Sequence, residues 1–202
     1  MKQEIIYLQG DLPPSIRAGG ELAFDAEFTG LSLLRDRLCL VQMARGDGKV
    51  YVVRVNPPYD CPNLKRVIKG ADAIFHFARM DMAMIKKCLG VFPKSVFCTK
   101  IASRLVRTST DRHSLKALVS EYFGIDLSKD EQQSDWADEK LSKRQIEYAA
   151  GDVVYLHGLK KILSDKLARE RRRELADKCF AFLPARVELD LAGWQDEDIF
   201  AH

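Results

Sequence analysis

Long apolar runs are missing from this chain. Nowhere in its 202 residues does one approach the roughly 18–20 that a membrane-spanning helix needs. The N-terminus holds only the short apolar stretch Ile5-Ile-Tyr-Leu8, so no signal-peptide core is expected there. Glycine and proline are modest, at 12 and 7, which excludes a collagen-like chain. Charge of one sign is also scarce: 32 Lys and Arg against 29 Asp and Glu leave a net +3. That is too mild for a protein with a whole basic face. The five cysteines, Cys39, Cys61, Cys88, Cys98 and Cys179, form no close pair. Neither C-x-x-C nor H-x-x-x-H occurs, which argues against structural zinc. Reduced thiols in a cytoplasmic protein are the expectation. No internal repeat or low-complexity segment is present.

What is present is ordinary globular material, 47% hydrophobic and 30% charged, enough for a real core. Residues 1–19 read as a lead-in with a turn at Gly10-Asp-Leu-Pro-Pro14. Three strands follow, from Glu21 through Glu27, over Arg37–Met43 and over Val50–Val55. The turn Arg45-Gly-Asp-Gly48 joins the last two as a hairpin, so the start is antiparallel. A helix over Asn63–Lys69, a strand over Ala71–Phe77 and a helix opening at Asp81 come next. Val96-Phe-Cys98 reads as a further strand. Beyond it the chain is helical: Lys100–Arg107, Ser114–Phe123 with Gly124 as a stop, and Ser142 to about Phe182. Ser142-Lys-Arg-Gln145 fits a capping box. Gly158 weakens the middle of that last span, so a break is expected within it. Strands mixed with helices along one chain imply an α/β layer fold.

Three weak motifs carry carboxylates. Asp25 and Glu27 lie two apart on a strand, so both side chains share a face among apolar neighbours. Such a pair repels itself and loses hydration unless a cation neutralises it. Taken alone, it reads first as two surface acids on a solvated edge strand. Asp81 alone reads as an acid favoured by a helix N-terminus. Tyr148 and Asp152 stand at i and i+4, on one helix face, with the small residues Ala149-Ala-Gly151 between them. Alone, they read as a hydrogen-bonded pair.

Their order and spacing form a compound pattern. Phe24-Asp-Ala-Glu-Phe-Thr-Gly-Leu31, then His76-Phe-Ala-Arg-Met-Asp81, then Tyr148-Ala-Ala-Gly-Asp152 resembles the DEDDy branch of the 3′→5′ exonucleases. Within that branch the chain is similar to the ribonuclease D group. Arg35–Cys39, Phe97–Ser103, Thr110–His113, Ser134-Asp-Trp136 and the stretch from Leu191 to His202 look like the nanoRNase C enzymes. Those are short bacterial proteins that remove dinucleotides and other very short RNAs. The sequence departs from their usual Asp-Thr-Glu-Thr at Ala26 and Phe28, and has Met80 and Met82 where Phe and Leu are usual.

The resemblance implies a ribonuclease H-like fold with a mixed central sheet, flanking helices and a helical C-terminal half. It implies two divalent cations, Mg²⁺ or Mn²⁺, held by Asp25, Glu27, Asp81 and Asp152. Asp25 would bridge both, Glu27 and Asp152 would serve the nucleophile side, and Asp81 the leaving-group side. Tyr148 completes the catalytic set and would orient the attacking water. Phe28, Thr29, Gly30, Leu31 and His76 would meet the substrate. Leu31 would wedge between bases, and His76 would either touch a phosphate or simply end its strand. Trp136 reads as a packing anchor.

The basic stretch Lys160, Lys161, Lys166, Arg169, Arg171, Arg172 and Arg173 is interleaved with acids, which favours a solvated face over a nucleic-acid track. The chain ends about fifty residues past Asp152, so a lone catalytic unit over residues 1–182 is expected. Leu183-Pro184 should break the last helix. The tail 183–202 carries Val187, Leu189, Leu191, Trp194, Ile199 and Phe200, expensive to leave in water at ~1.5–3 kcal/mol each. It is expected to pack on a neighbouring subunit. The resemblance implies a ring-like homo-oligomer, an octamer being one form of it, with short RNA as substrate and no membrane partner. Trimming of structured RNA 3′ ends or of DNA keeps the same chemistry as an alternative. A catalytically dead RNA-binding scaffold fits poorly, because all four carboxylates and the tyrosine are present.

Overall fold

The computed structural model describes residues 3–127, 131 and 134–201. Its centre is a six-stranded mixed sheet in the order β1-β4-β3-β2-β5-β6. The strands are β1 (Glu4–Gln9), β2 (Glu21–Phe28), β3 (Leu38–Ala44), β4 (Lys49–Arg54), β5 (Asp72–Phe75) and β6 (Ser95–Cys98). β3 runs antiparallel to both β2 and β4, and the Arg45–Gly48 turn closes the expected β3–β4 hairpin with Gly46 and Gly48 at positive φ of 78° and 89°. β5 and β6 add in parallel to β2 and to each other, which needs the crossover helices α1 (Pro62–Gly70) and α2 (Ala78–Leu89). Every residue of β3 is buried, the mark of a central strand covered on both faces.

The lead-in is structural. Residues 4–9 pair in parallel with β4 and form one edge of the sheet. Asp11 then reaches across to α1, where its two carboxylate oxygens accept from the Asn63 and Leu64 amides at 3.0 and 2.8 Å. Those are helix-start donors that Cys61, with no capping side chain, leaves unmet.

The helical half consists of α3 (Thr99–Val106), α4 (Leu115–Phe123), α5 (Lys143–Val154), α6 (Leu156–Arg169) and α7 (Arg173–Leu191). Ser114 and Gly124 bound α4, and Ser142 with Gln145 closes the expected capping box on α5. The break expected near Gly158 falls instead at Tyr155, and again at residues 170–172, where Arg171 has φ 54°. Gly158 sits inside α6 because a Cβ there would lie 2.8 Å from the Phe123 ring. Three of the seven residues of the basic stretch are paired within the fold: Lys160 with Glu21, Arg173 with Asp177, and Arg172 with the Leu105 carbonyl.

Pro184 does not end the last helix. It lies inside α7, which runs on to Leu191. A proline there forfeits one helix hydrogen bond and crowds the preceding turn. Burial on both sides offsets that. Phe180 packs on Phe97 with centroids 4.8 Å apart, and Leu183 and Val187 are buried. Asp190, also buried, takes Arg79 at 2.6 and 2.7 Å and Arg186 at 2.7 and 3.0 Å. The same two arginines donate to the Trp194, Gln195 and Glu197 carbonyls, so the segment after α7 is tied back to α2. Replacing Asp190 with alanine leaves two partly buried guanidinium groups without their carboxylate. The expected cost is about 3 kcal/mol, read as a lower urea midpoint with an unchanged slope.

Candidate active site

β2 is fourth of six strands, so Asp25 and Glu27 stand on a central strand and not on a solvated edge. Alternation puts both on one sheet face, while Ala26 between them is buried on the other. The register shifts between Glu27 and Phe28, where the strand leaves the sheet. α5 lies across this face against β2, β3 and β4. Ala149 and Ala150 are fully enclosed, which lets the helix approach closely and brings Asp152 and Tyr148 over the strand.

Ligand oxygens of Asp25, Glu27 and Asp152 all lie within 4.8 Å of one another. Asp81 stands outside that trio yet close enough for its charge to act on Asp25 and Glu27. It is the fourth residue of α2, which starts at Ala78 and not at Asp81 as the sequence suggests. Phe77, at φ 67°, makes the sharp turn from β5 into that helix.

The electrostatics are those of crowded acids. Burial, then Asp81, Asp152 and Glu27, push the Asp25 carboxyl well above its ordinary range. Burial, then Asp152 and Asp81, raise Glu27 to about 9. Burial raises Asp152 to about 7 and holds Asp81 well up as well, against hydrogen bonds from the Ala26 and Asp81 amides. Among the described residues, none of the four pairs with a lysine, arginine or histidine. An all-oxygen donor set with that deficit of positive charge fits a hard divalent cation.

Tyr148 packs its ring beside buried Trp136, with centroids 6.1 Å apart, which confirms Trp136 as a packing anchor. Burial, then Asp152, Glu27 and Asp25, raise the phenol far above its usual value, so it stays protonated. A cavity of about 290 Å³ opens on Asp25, Tyr148 and Asp152, with His76, Phe77 and Lys100 on its other wall.

The five expected substrate residues separate. Leu31 is 75% exposed. It lines a second cavity that shares Phe77 with the first. His76 lies on the carboxylate cavity. Its Nδ1 is 2.9 Å from the Thr99 hydroxyl, which itself donates to the Phe75 carbonyl, so the ring donates through Nδ1. Burial, then Lys100, lower its pKa to about 3, leaving a neutral ring with Nε2 as an acceptor. That suits a ribose hydroxyl better than a phosphate oxygen. Thr29 and Gly30 shape the loop. The Thr29 hydroxyl bonds Asp36 at 3.0 Å, and a Cβ on Gly30 would fall 2.6 Å from the same carboxylate. Phe28 is half-buried on the core.

The sequence reading missed Phe77 and Lys100. The Lys100 ammonium sits 3.9 Å from the Phe77 ring centroid, and both face the carboxylates. In sequence, Phe77 looks like the end of a buried strand and Lys100 like an ordinary helix lysine. Only the turn at Phe77 exposes them together.

The sheet order and the acidic centre on its central strand are those of the ribonuclease H-like class. Residues 11–168 match the 3′-5′ exonuclease model of the DNA polymerase A type. The fold superposes on NrnC of Brucella melitensis with a TM-score of 0.94 and 46% identity, covering 99% of this chain and 100% of that one. That protein is also known with bound Mg²⁺ and bound to pGG. Ribonuclease D of Bartonella henselae is 29% identical over 84% of this chain and 42% of its own length. DNA polymerase I of Aquifex aeolicus is 34% identical over 76% of this chain and 26% of its own. The chain thus spans less than half the length of these two curated relatives. It belongs to the 3′-5′ exonuclease family, on its ribonuclease D side. Among the described residues no helix is long and apolar enough to cross a membrane.

Proposed function

We propose that the protein is a divalent-metal-dependent 3′→5′ exoribonuclease that hydrolyses dinucleotides and short RNA to nucleoside 5′-monophosphates. The observation that carries this is the convergence of Asp25, Glu27 and Asp152 oxygens within 4.8 Å beside an open cavity. The likeness to NrnC, solved with Mg²⁺ and with pGG, supports the metal and the short substrate.

Asp25, Glu27 and Asp152 would hold a cation on the nucleophile side, and Asp81, with Asp25, would serve the leaving-group side. These carboxylates would hold two divalent cations, which would supply positive charge against the phosphate, acidify a water and stabilise the departing 3′ oxygen. The protonated Tyr148 hydroxyl hydrogen-bonds the attacking water and aims it at phosphorus. Leu31 presses on base faces, a contact that reads no sequence and so admits any dinucleotide. His76 Nε2 accepts from a sugar hydroxyl.

The same reading includes a ring-like homo-oligomer, an octamer as one form. Trp194, Ile199 and Phe200 remain exposed although Phe200 touches Phe182, and they would meet a neighbouring copy. Structured RNA 3′ ends and DNA are the competing substrates.

A labelled panel decides between them. Turnover of a 5′-labelled dinucleotide is compared with that of a seven-mer, a structured RNA 3′ end and DNA, in Mg²⁺ or Mn²⁺, with Asp25→Ala as control. A steep preference for the dinucleotide supports the proposal. Faster trimming of the longer RNAs or of DNA overturns it.

A further inference from the structure

Behind the carboxylates lies a second polar group that neither the motifs nor the mechanism uses. Gln42 is 0% exposed, in the middle of β3, and Arg54 at the end of β4 is 5% exposed. Both amide atoms of Gln42 and Nη1 of Arg54 are buried with no hydrogen-bond partner among the described residues. Among the described residues the Arg54 side chain keeps a single bond, from Nη2 to the Ala137 carbonyl at 3.1 Å, just past Trp136. Buried amides and guanidinium groups are rarely left so in a native fold, because unmet polar atoms are costly.

The register shows what they face. Gln42 is the direct cross-strand partner of Asp25. Leu40 pairs with Glu27 on one side and with Arg54 on the other. Paired residues share a face, so Asp25, Glu27, Gln42 and Arg54 all lie on the face covered by α5. Gln42 has Asp25 directly beside it and Glu27 and Arg54 on its diagonals, within about 7–8 Å. An amide carries both donors and an acceptor. It is therefore suited to lie between carboxylates, which accept, and a guanidinium, which donates.

We infer that Gln42 and Arg54 are positioning residues for the metal-binding carboxylates. Through bridging water, Gln42 Nε2 donates toward Asp25 and Glu27, and Oε1 accepts from the Arg54 side. The network fixes the carboxylate rotamers from the β3 side. Partners of this kind usually govern metal affinity almost as strongly as the ligands they orient. The inference rests on the metal-centre reading above, and its test separates the two.

The test is Mn²⁺ binding by titration calorimetry on the full chain, together with melting of the metal-free protein. Gln42→Met keeps the length of the side chain and removes its hydrogen bonds. It should weaken Mn²⁺ binding roughly tenfold while metal-free melting stays level or rises. Adding Arg54→Met to it should cost much less than Arg54→Met does alone, since one network is already broken. Mn²⁺ affinity unchanged in Gln42→Met overturns the inference and leaves the metal centre standing. No Mn²⁺ binding by the unsubstituted protein overturns both. Should Gln42→Met not fold, a Mn²⁺-loaded crystal structure of the unsubstituted protein decides. Water bridging Gln42 Nε2 to a carboxylate oxygen is the expected result, and its absence there sinks the idea.

Discussion

Without divalent cations, the Asp25→Asn protein should melt higher than the unsubstituted one. Asp25 is half-buried among three other acids, and its carboxyl is pushed up by desolvation first and by those neighbours second. Asparagine keeps the shape and removes both penalties. A gain of about 1–2 kcal/mol is expected, which for a domain of this size is several degrees. The order reverses when Mn²⁺ is added. At a hundred times its dissociation constant, a ligand bound only by the folded state adds about 2.7 kcal/mol. The unsubstituted protein should climb by roughly 5–10 °C on that scale, and Asp25→Asn should scarcely move. Hydrolysis should fall by roughly 10³-fold or more, the scale of losing a central electrostatic group. Scanning fluorimetry with and without Mn²⁺ reads the crossover. Equal cation-induced gains in both proteins would remove Asp25 from the metal centre.

Tyr148→Phe should separate chemistry from binding. The ring keeps its place beside Trp136, and the carboxylates are untouched. What disappears is one hydroxyl at the mouth of the cavity. Turnover should drop by about 10²-fold, in the range of a lost proton-handling group. Mn²⁺ affinity measured by calorimetry should stay within a factor of two. If the variant bound the metal poorly, the hydroxyl would be a ligand or a support for one, and the role proposed for it would fail.

Much of this was readable from residue order. The acids are legible only together, because each motif alone has a plain structural reading and their order and spacing along the chain do not. The hairpin, the capping box on α5 and the glycine stop on α4 are local signals, and the structure keeps all three. The misreadings share a cause. Pro184 looks like a terminator by local rules, yet burial of Leu183 and Val187 and the Asp190 clamp carry the helix past it. Residues 4–9 read as part of a lead-in because their partner strand lies some forty-five positions downstream. Gly158 looks like a weak point because the ring it makes room for, Phe123, belongs to another helix. Gln42 could not be seen at all: one glutamine in a strand is ordinary until register sets it against Asp25. Tertiary pairing, and not propensity, decides each of these cases.

The centre is gathered from β2, α2 and α5, so its first and last acids are separated by most of the folded chain. Translation delivers them in that order. A half-made polypeptide carries Asp25 and Glu27 long before α5 leaves the ribosome with Asp152. Until then it cannot close around its ions. Ion binding is therefore a property of the finished domain and not of its first half.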